Sequence, residues 1–153
     1  MAAAEPKDVE AIATLLEEMD RFYGADEVKP LELRVRQIAE AIIDDRSPIH
    51  ALLAWDGGQL IGIATYSFLW PAMGVTRSLY LKELYVARDH QRKGVGKLLM
   101  DCVVEAAAKN RCSRVEWTTD EENPGAQEFY EKLGFSKLPS KVFYRHTISS
   151  TRE

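Results

Sequence analysis

A chain of 153 residues, 46% hydrophobic and 29% charged, has the size and composition of one globular domain with a buried core, so residues 1–153 are read as a single domain. A net charge of -4 and a pI near 5.5 give no field that attracts nucleic acid or an anionic membrane, and any anion bound must be held by a local basic cluster. The N-terminus lacks a basic start and an apolar run, and no stretch of about 18 apolar residues occurs, so the expected location is cytoplasmic.

In chain order, residues 8–22 place Val9, Ile12, Ala13, Leu15, Leu16 and Met19 on one helical face, with Asp8 as the expected N-cap. Residues 31–43, entered through Pro30 and left before Asp44, Asp45 and Pro48, predict a second helix. Residues 49–55 and 60–69 are apolar, β-branched runs joined by Asp56-Gly57-Gly58, the signature of an antiparallel hairpin. After Pro71 and Gly74, residues 78–86 predict a third strand and residues 95–108 a long helix with Val95, Leu98, Leu99, Cys102, Val103 and Ala106 inward. Cys102 is thus a core residue. It lies ten positions from Cys112 with no CxxC and no histidine pair, which excludes a zinc or redox dithiol reading; no metal is expected. A strand over 114–119, a helix over 124–133 stopped by Gly134 and a last strand over 142–148 complete a mixed α/β order.

The chemistry concentrates in residues 79–97. An apolar strand runs into Arg88-Asp89-His90, and Gln91-Arg92-Lys93-Gly94-Val95-Gly96-Lys97 then opens a helix. The first turn of a helix offers unpaired N–H groups and the positive end of the dipole, and glycines at 94 and 96 let a pyrophosphate approach the backbone. Arg88, Arg92, Lys93 and Lys97 supply local positive charge in an acidic protein. Without a GK[ST] ending the segment is not a Walker loop, and with leucine at 99 it is not a dinucleotide fingerprint. On its own it reads either as an anion cradle or as a glycine turn beside a solvated basic face.

Gln91-x-x-Gly94-x-Gly96 after Leu84-Tyr85-Val86 resembles the Q/R-x-x-G-x-G/A motif of the GNAT acetyltransferases. Asn123-x-x-Ala126-x-x-Phe129-Tyr130-x-x-Leu133-Gly134-Phe135 resembles their second signature, at the family's usual separation. The similarity of element order covers nearly the whole chain. It implies a GNAT-like α/β fold, a central, mostly antiparallel twisted sheet flanked by helices. Tyr80-Leu81, the aromatic run before Pro71 and the surroundings of Phe129-Tyr130 are most similar to the diamine (spermidine/spermine) branch. Two departures stand out: only residues 1–5 are available for the family's opening strand, and residues 140–142 offer no acidic or aromatic seat for a polycation.

The resemblance implies acetyl-CoA as cosubstrate, its pyrophosphate on the amides of Arg92, Lys93, Gly94, Val95, Gly96 and Lys97. Its pantetheine arm would pair like an added strand with Leu84, Tyr85 and Val86. An amide near Tyr85 or Val86 would face the thioester oxygen. Asn123 caps its helix and, with Ala126, touches the cofactor arm. Tyr130 matches the family tyrosine that protonates the leaving thiolate; the other reading pairs it with Phe129 in an aromatic core. Glu83 is either the base that takes the amine proton or a surface carboxylate paired with Lys82 or Arg77. The acceptor pocket is expected between the first two helices and the segment before Pro71, bringing in Phe22, Tyr23, Phe68 and Trp70, with Asp20, Asp26 or Glu27 for charge. The expected reaction is N-acetylation of a small-molecule primary amine by direct attack in a ternary complex, in a homodimer. The competing readings are acetylation of a protein N-terminus or lysine and a non-catalytic acetyl-CoA sensor.

Overall fold

The computed structural model describes residues 1–149, in two compact units, Met1–Thr118 and a second that begins at Thr119. The first unit holds a five-stranded sheet in the order β1(Ala2–Ala3), β2(His50–Asp56), β3(Gln59–Leu69), β4(Arg77–Val86), β5(Cys112–Glu116). The first four strands pair antiparallel, and β5 joins β4 in parallel. The opening strand is two residues long, in register with Leu52 and Leu53 of β2. The β2–β3 hairpin turns at Gly57-Gly58, as the turn signal predicts.

Helix α1(Val9–Phe22) follows a 3-10 turn at Pro6–Asp8. Asp8 precedes α1 but does not cap it; its Oδ2 accepts the Glu5 N–H at 2.9 Å, because the 3-10 turn brings that amide nearer. The second predicted helix divides into α2(Leu31–Ile38) and a π-helical turn, Ala39–Ile43. Arg34 joins the two helices: its guanidinium donates to the Ala13 carbonyl and to Glu17 Oε2, the latter at 3.2 Å, so this buried charge has a carboxylate partner.

Helix α3(Val95–Lys109) buries Leu99, Met100, Val103 and Ala107. That face is rotated from the predicted one: Leu98 is exposed and Cys102 only half-buried. Gly62 of β3 faces α3, since a Cβ there would lie 3.1 Å from Leu99 and 3.2 Å from Val95. Tyr85, whose register partner is the next residue, Ile63, reaches Glu18 of α1 instead. Successive strand residues point to opposite faces, so α1 and α3 cover opposite sides of the sheet. Ile12, Leu53, Ile63, Leu79, Leu99, Met100 and Val103 form the fully buried core.

The second unit contains α4(Pro124–Lys132). Its end is a Schellman motif: Gly134, at φ 89°, donates to the Glu131 carbonyl, and Phe135 donates to that of Tyr130. The strand predicted over 142–148 does not form. Val142, Phe143, Tyr144 and Ile148 have strand-like side chains but are largely exposed, and none of the five strands pairs with them; β propensity without a ladder partner does not hold a strand.

Candidate active site

Two irregularities in β4 create the site. The first is a bulge: Thr65 stands opposite Glu83 and Tyr66 opposite Leu81, which leaves Lys82 as the extra residue. The second is the loss of its outer neighbour, because the ladder to β5 stops at Tyr80 opposite Glu116. Beyond it, no strand of the described residues pairs with that edge.

The hydrogen-bond phase says which groups this edge presents. Ala87 N–H donates to the Ile61 carbonyl at 2.7 Å, so the alternation of antiparallel pairs makes Tyr85 and Ile63 the next hydrogen-bonded pair. The polar backbone groups of Leu84 and Val86 therefore point away from β3, while the Tyr85 amide is used inside the sheet. Of the two amides expected to face a thioester oxygen, only that of Val86 points to the open edge. Gln91 Nε2 donates to the Val86 carbonyl at 3.0 Å and ties the following loop to the strand end.

That loop runs through a 3-10 turn, Arg88–His90, into α3. Gly94 is the N-cap residue of α3 at φ 86°, a left-handed conformation that glycine adopts without strain, and no side chain caps the helix. No acidic residue lies in its first turn. The amides after Gly94 are therefore presented outward beside the positive end of the helix dipole. Arg88, Arg92 and Lys93 are exposed around them, whereas Lys97 is held by Asp101 on the flank of α3 at 2.8 Å. His90 is half-buried, its Nε2 3.8 Å from Asp56.

Glu18 joins α1 to this region, a role that no sequence signal announces. Its Oε2 accepts from the Tyr85 hydroxyl at 2.6 Å and from the Arg88 amide at 3.2 Å. Burial, reinforced by the Glu18 carboxylate, holds the Tyr85 phenol well above its usual range. Tyr85→Phe is expected to lower the free energy of unfolding at pH 7 by about 1.5–3 kcal/mol, the usual worth of a hydrogen bond to a charged group. Chemical denaturation measures this. A phenol with a raised folded pKa contributes its full stability below its unfolded value of about 10 and loses it progressively as pH rises above that; the variant should lack this alkaline loss.

On the α1 side of the sheet lies a cavity of about 740 Å³. Leu16 and Asp20 of α1, Glu27, Val28 and Lys29 of the following loop, and Arg34, Gln37 and Ile38 of α2 line it, with Thr65 and Ser67 of β3 and Tyr80 and Lys82 of β4 on the sheet side. Asp20 and Glu27 thus stand where acceptor charge is expected. Phe22, Tyr23 and Trp70 are exposed and are not among the lining residues. The Phe22 ring instead lies 5.3 Å from Tyr23 and 6.2 Å from Tyr85, and Trp70 Nε1 donates to the Val75 carbonyl at 3.0 Å. Phe68 packs against Tyr66 and His50 with the Arg77 guanidinium over its ring.

Glu83 is half-buried and stands opposite Thr65, a cavity-lining residue. The bulge shifts the side-chain alternation here. Tyr80 and Lys82 face the cavity before it and Tyr85 faces α1 after it, so Lys82 and Glu83 emerge on the same side of β4. Arg77, one of the two cations weighed as a surface partner for Glu83, donates to the Asn110 carbonyl at 2.7 Å. The other, Lys82, makes no hydrogen bond or ion pair with a described residue.

In the second unit, Asn123 Oδ1 accepts the Ala126 amide at 3.1 Å, which makes Asn123 the N-cap of α4 and commits the Ala126 N–H to that cap. Phe129 and Tyr130 are both half-buried, their rings 5.0 Å apart in an edge-on contact. The Tyr130 carbonyl belongs to the Schellman end, which fixes the backbone of this residue.

Residues 12–135 match the model of the acetyltransferase (GNAT) family, a span that runs through both units. A D-amino-acid N-acetyltransferase of Saccharomyces cerevisiae is 33% identical over 145 residues, covering 94% of this chain and 87% of that protein. An integron cassette protein of V. cholerae superposes with a TM-score of 0.88 at 25% identity, over 95% of this chain and 90% of its own. An aminoglycoside N-acetyltransferase solved with CoA gives 0.75 at 20% identity, over 95% and 93%, and shares the fold. The five-stranded, mostly antiparallel sheet flanked by helices, the uncapped α3 N-terminus after Gln91-x-x-Gly94-x-Gly96 and these matches place the chain in the GNAT family of acetyl-CoA-dependent acyltransferases.

Proposed function

We propose that this protein transfers the acetyl group of acetyl-CoA to the primary amine of a small molecule by direct attack in a ternary complex. The observation that carries this reading is the cavity of about 740 Å³ beside the bulge of β4, a volume in the range of small-molecule sites. The named activity of the yeast relative, acetylation of D-amino acids, agrees with an acceptor of that size. The likeness to diamine acetyltransferases around Tyr80-Leu81 and Phe129-Tyr130 keeps diamines within the same class.

In this reading the outward amides from Arg92 to Lys97 receive the cofactor pyrophosphate, with Arg88, Arg92 and Lys93 screening its charge. The pantetheine arm adds to the open edge of β4 through Leu84 and Val86, and the Val86 N–H stabilises the thioester oxygen as it gains charge. The amine nitrogen attacks the carbonyl carbon and its proton passes to Glu83. The carbon–sulfur bond breaks and the thiolate takes a proton from Tyr130. Asn123, by capping α4, positions the helix that carries Tyr130. Phe22, Tyr23 and Trp70 act as outer contacts for the acceptor. Residues 1–153 work as one acetyltransferase domain in a cytoplasmic homodimer that needs no metal.

Thiol release from acetyl-CoA across amino acids, diamines, aminoglycosides and short peptides tests the proposal. Turnover of small amines with little turnover of peptides is the expected result. Turnover confined to peptides would sink the small-molecule reading, and tight acetyl-CoA binding without any turnover would sink the enzymatic one.

A further inference from the structure

We propose that the acceptor is bound as a zwitterion, with the Lys82 ammonium holding its carboxylate, so that the substrate class is an amino acid or another amine with a carboxylate close to the nitrogen. This rests on the small-amine reading above and narrows it. The cavity is lined by five charged side chains: Asp20, Glu27, Lys29, Arg34 and Lys82. Arg34 is already committed to Glu17 and the Ala13 carbonyl. The other four make no hydrogen bond or ion pair with any described residue. The cavity thus offers two uncommitted cations and two uncommitted carboxylates to whatever enters it. A diamine would set one ammonium against Lys29 or Lys82 wherever the other met Asp20 or Glu27, and a simple alkylamine would leave both lysines unanswered. A ligand that carries both signs answers both sets.

The bulge selects Lys82 over Lys29. It turns Lys82 and Glu83 to the same side of β4, and an α-amino acid holds its nitrogen two bonds from its carboxylate carbon. A carboxylate on Lys82 therefore brings the reacting amine towards Glu83, the group to which its proton passes. Lys29 also lines the cavity but belongs to the loop between α1 and α2 and not to the strand that carries Glu83.

The test uses matched pairs that differ only in the carboxylate: alanine with ethylamine, ornithine with putrescine, and lysine with 1,5-diaminopentane, each scored by kcat/KM for thiol release. The wild type should prefer the carboxylate-bearing member at least about tenfold. Lys82→Met should bring that ratio close to one, chiefly by raising KM for the amino acid by about 10- to 100-fold, the range of a charge-assisted hydrogen bond. Lys82→Arg should restore part of the preference. A wild type that favours the decarboxylated member, or a Lys82→Met variant that slows both members equally, would overturn the assignment. Calorimetric titration of the same amino acids into CoA-loaded protein separates this from a failure of the catalytic reading. If no amine is turned over, carboxylate-dependent binding that Lys82→Met abolishes still supports the site, and binding indifferent to the carboxylate overturns it.

Discussion

Tyr130→Phe should lower kcat by about 10²- to 10³-fold while acetyl-CoA still binds, the span expected when a positioned general acid is lost. The leaving group is a thiol of intrinsic pKa near 8.5, so its departure as a free thiolate is uphill at neutral pH, and a phenol of pKa near 10 stays protonated and ready to donate. Phenylalanine keeps the edge-on contact with Phe129, 5.0 Å between ring centres, and leaves the backbone of the α4 C-terminus intact. The variant should therefore fold with an unchanged circular dichroism spectrum. Steady-state thiol release at saturating acceptor measures the effect. A kcat within about threefold of wild type would return Tyr130 to the simpler role of an aromatic packing residue.

The elements that local chemistry dictates were legible in the sequence. Asp56-Gly57-Gly58 sets the hairpin and so where β2 ends and β3 begins; Gly134 stops α4; Gly94 starts α3. The buried face of α3 was not legible, because Leu98, Leu99 and Met100 are consecutive apolar residues that serve two overlapping helical stripes, and only packing against the sheet selects the one through Met100 and Ala107. Residues 142–148 failed for a related reason, since a strand depends on a partner that its own sequence does not encode. The same division holds at the site. The candidate anion loop is contiguous and could be picked out, whereas Glu18 meets Tyr85 across 67 positions and Lys82 shares a face with Glu83 only through a bulge, a property of register between two strands.

That register also governs the second large effect, at Glu83. An alkyl amine of pKa about 10.4 is neutral in only about one molecule in 2,500 at pH 7, equivalent to about 4.6 kcal/mol against attack. If the ammonium form binds and Glu83 removes its proton in the complex, the enzyme escapes most of that penalty. Glu83→Gln keeps the size and polarity of the side chain opposite Thr65 but accepts no proton, and kcat/KM at pH 7 should fall by about 10²- to 10³-fold. The variant can use only amine that is already neutral, so its kcat/KM should climb about tenfold per pH unit towards the amine pKa, whereas the wild type levels off once its base is ionised. The deficit should therefore shrink steadily between pH 7 and 10. A pH profile of kcat/KM for both proteins decides the matter: a constant deficit across that range would make Glu83 a positioning group for the bulge and leave the proton to a water bound at the same edge.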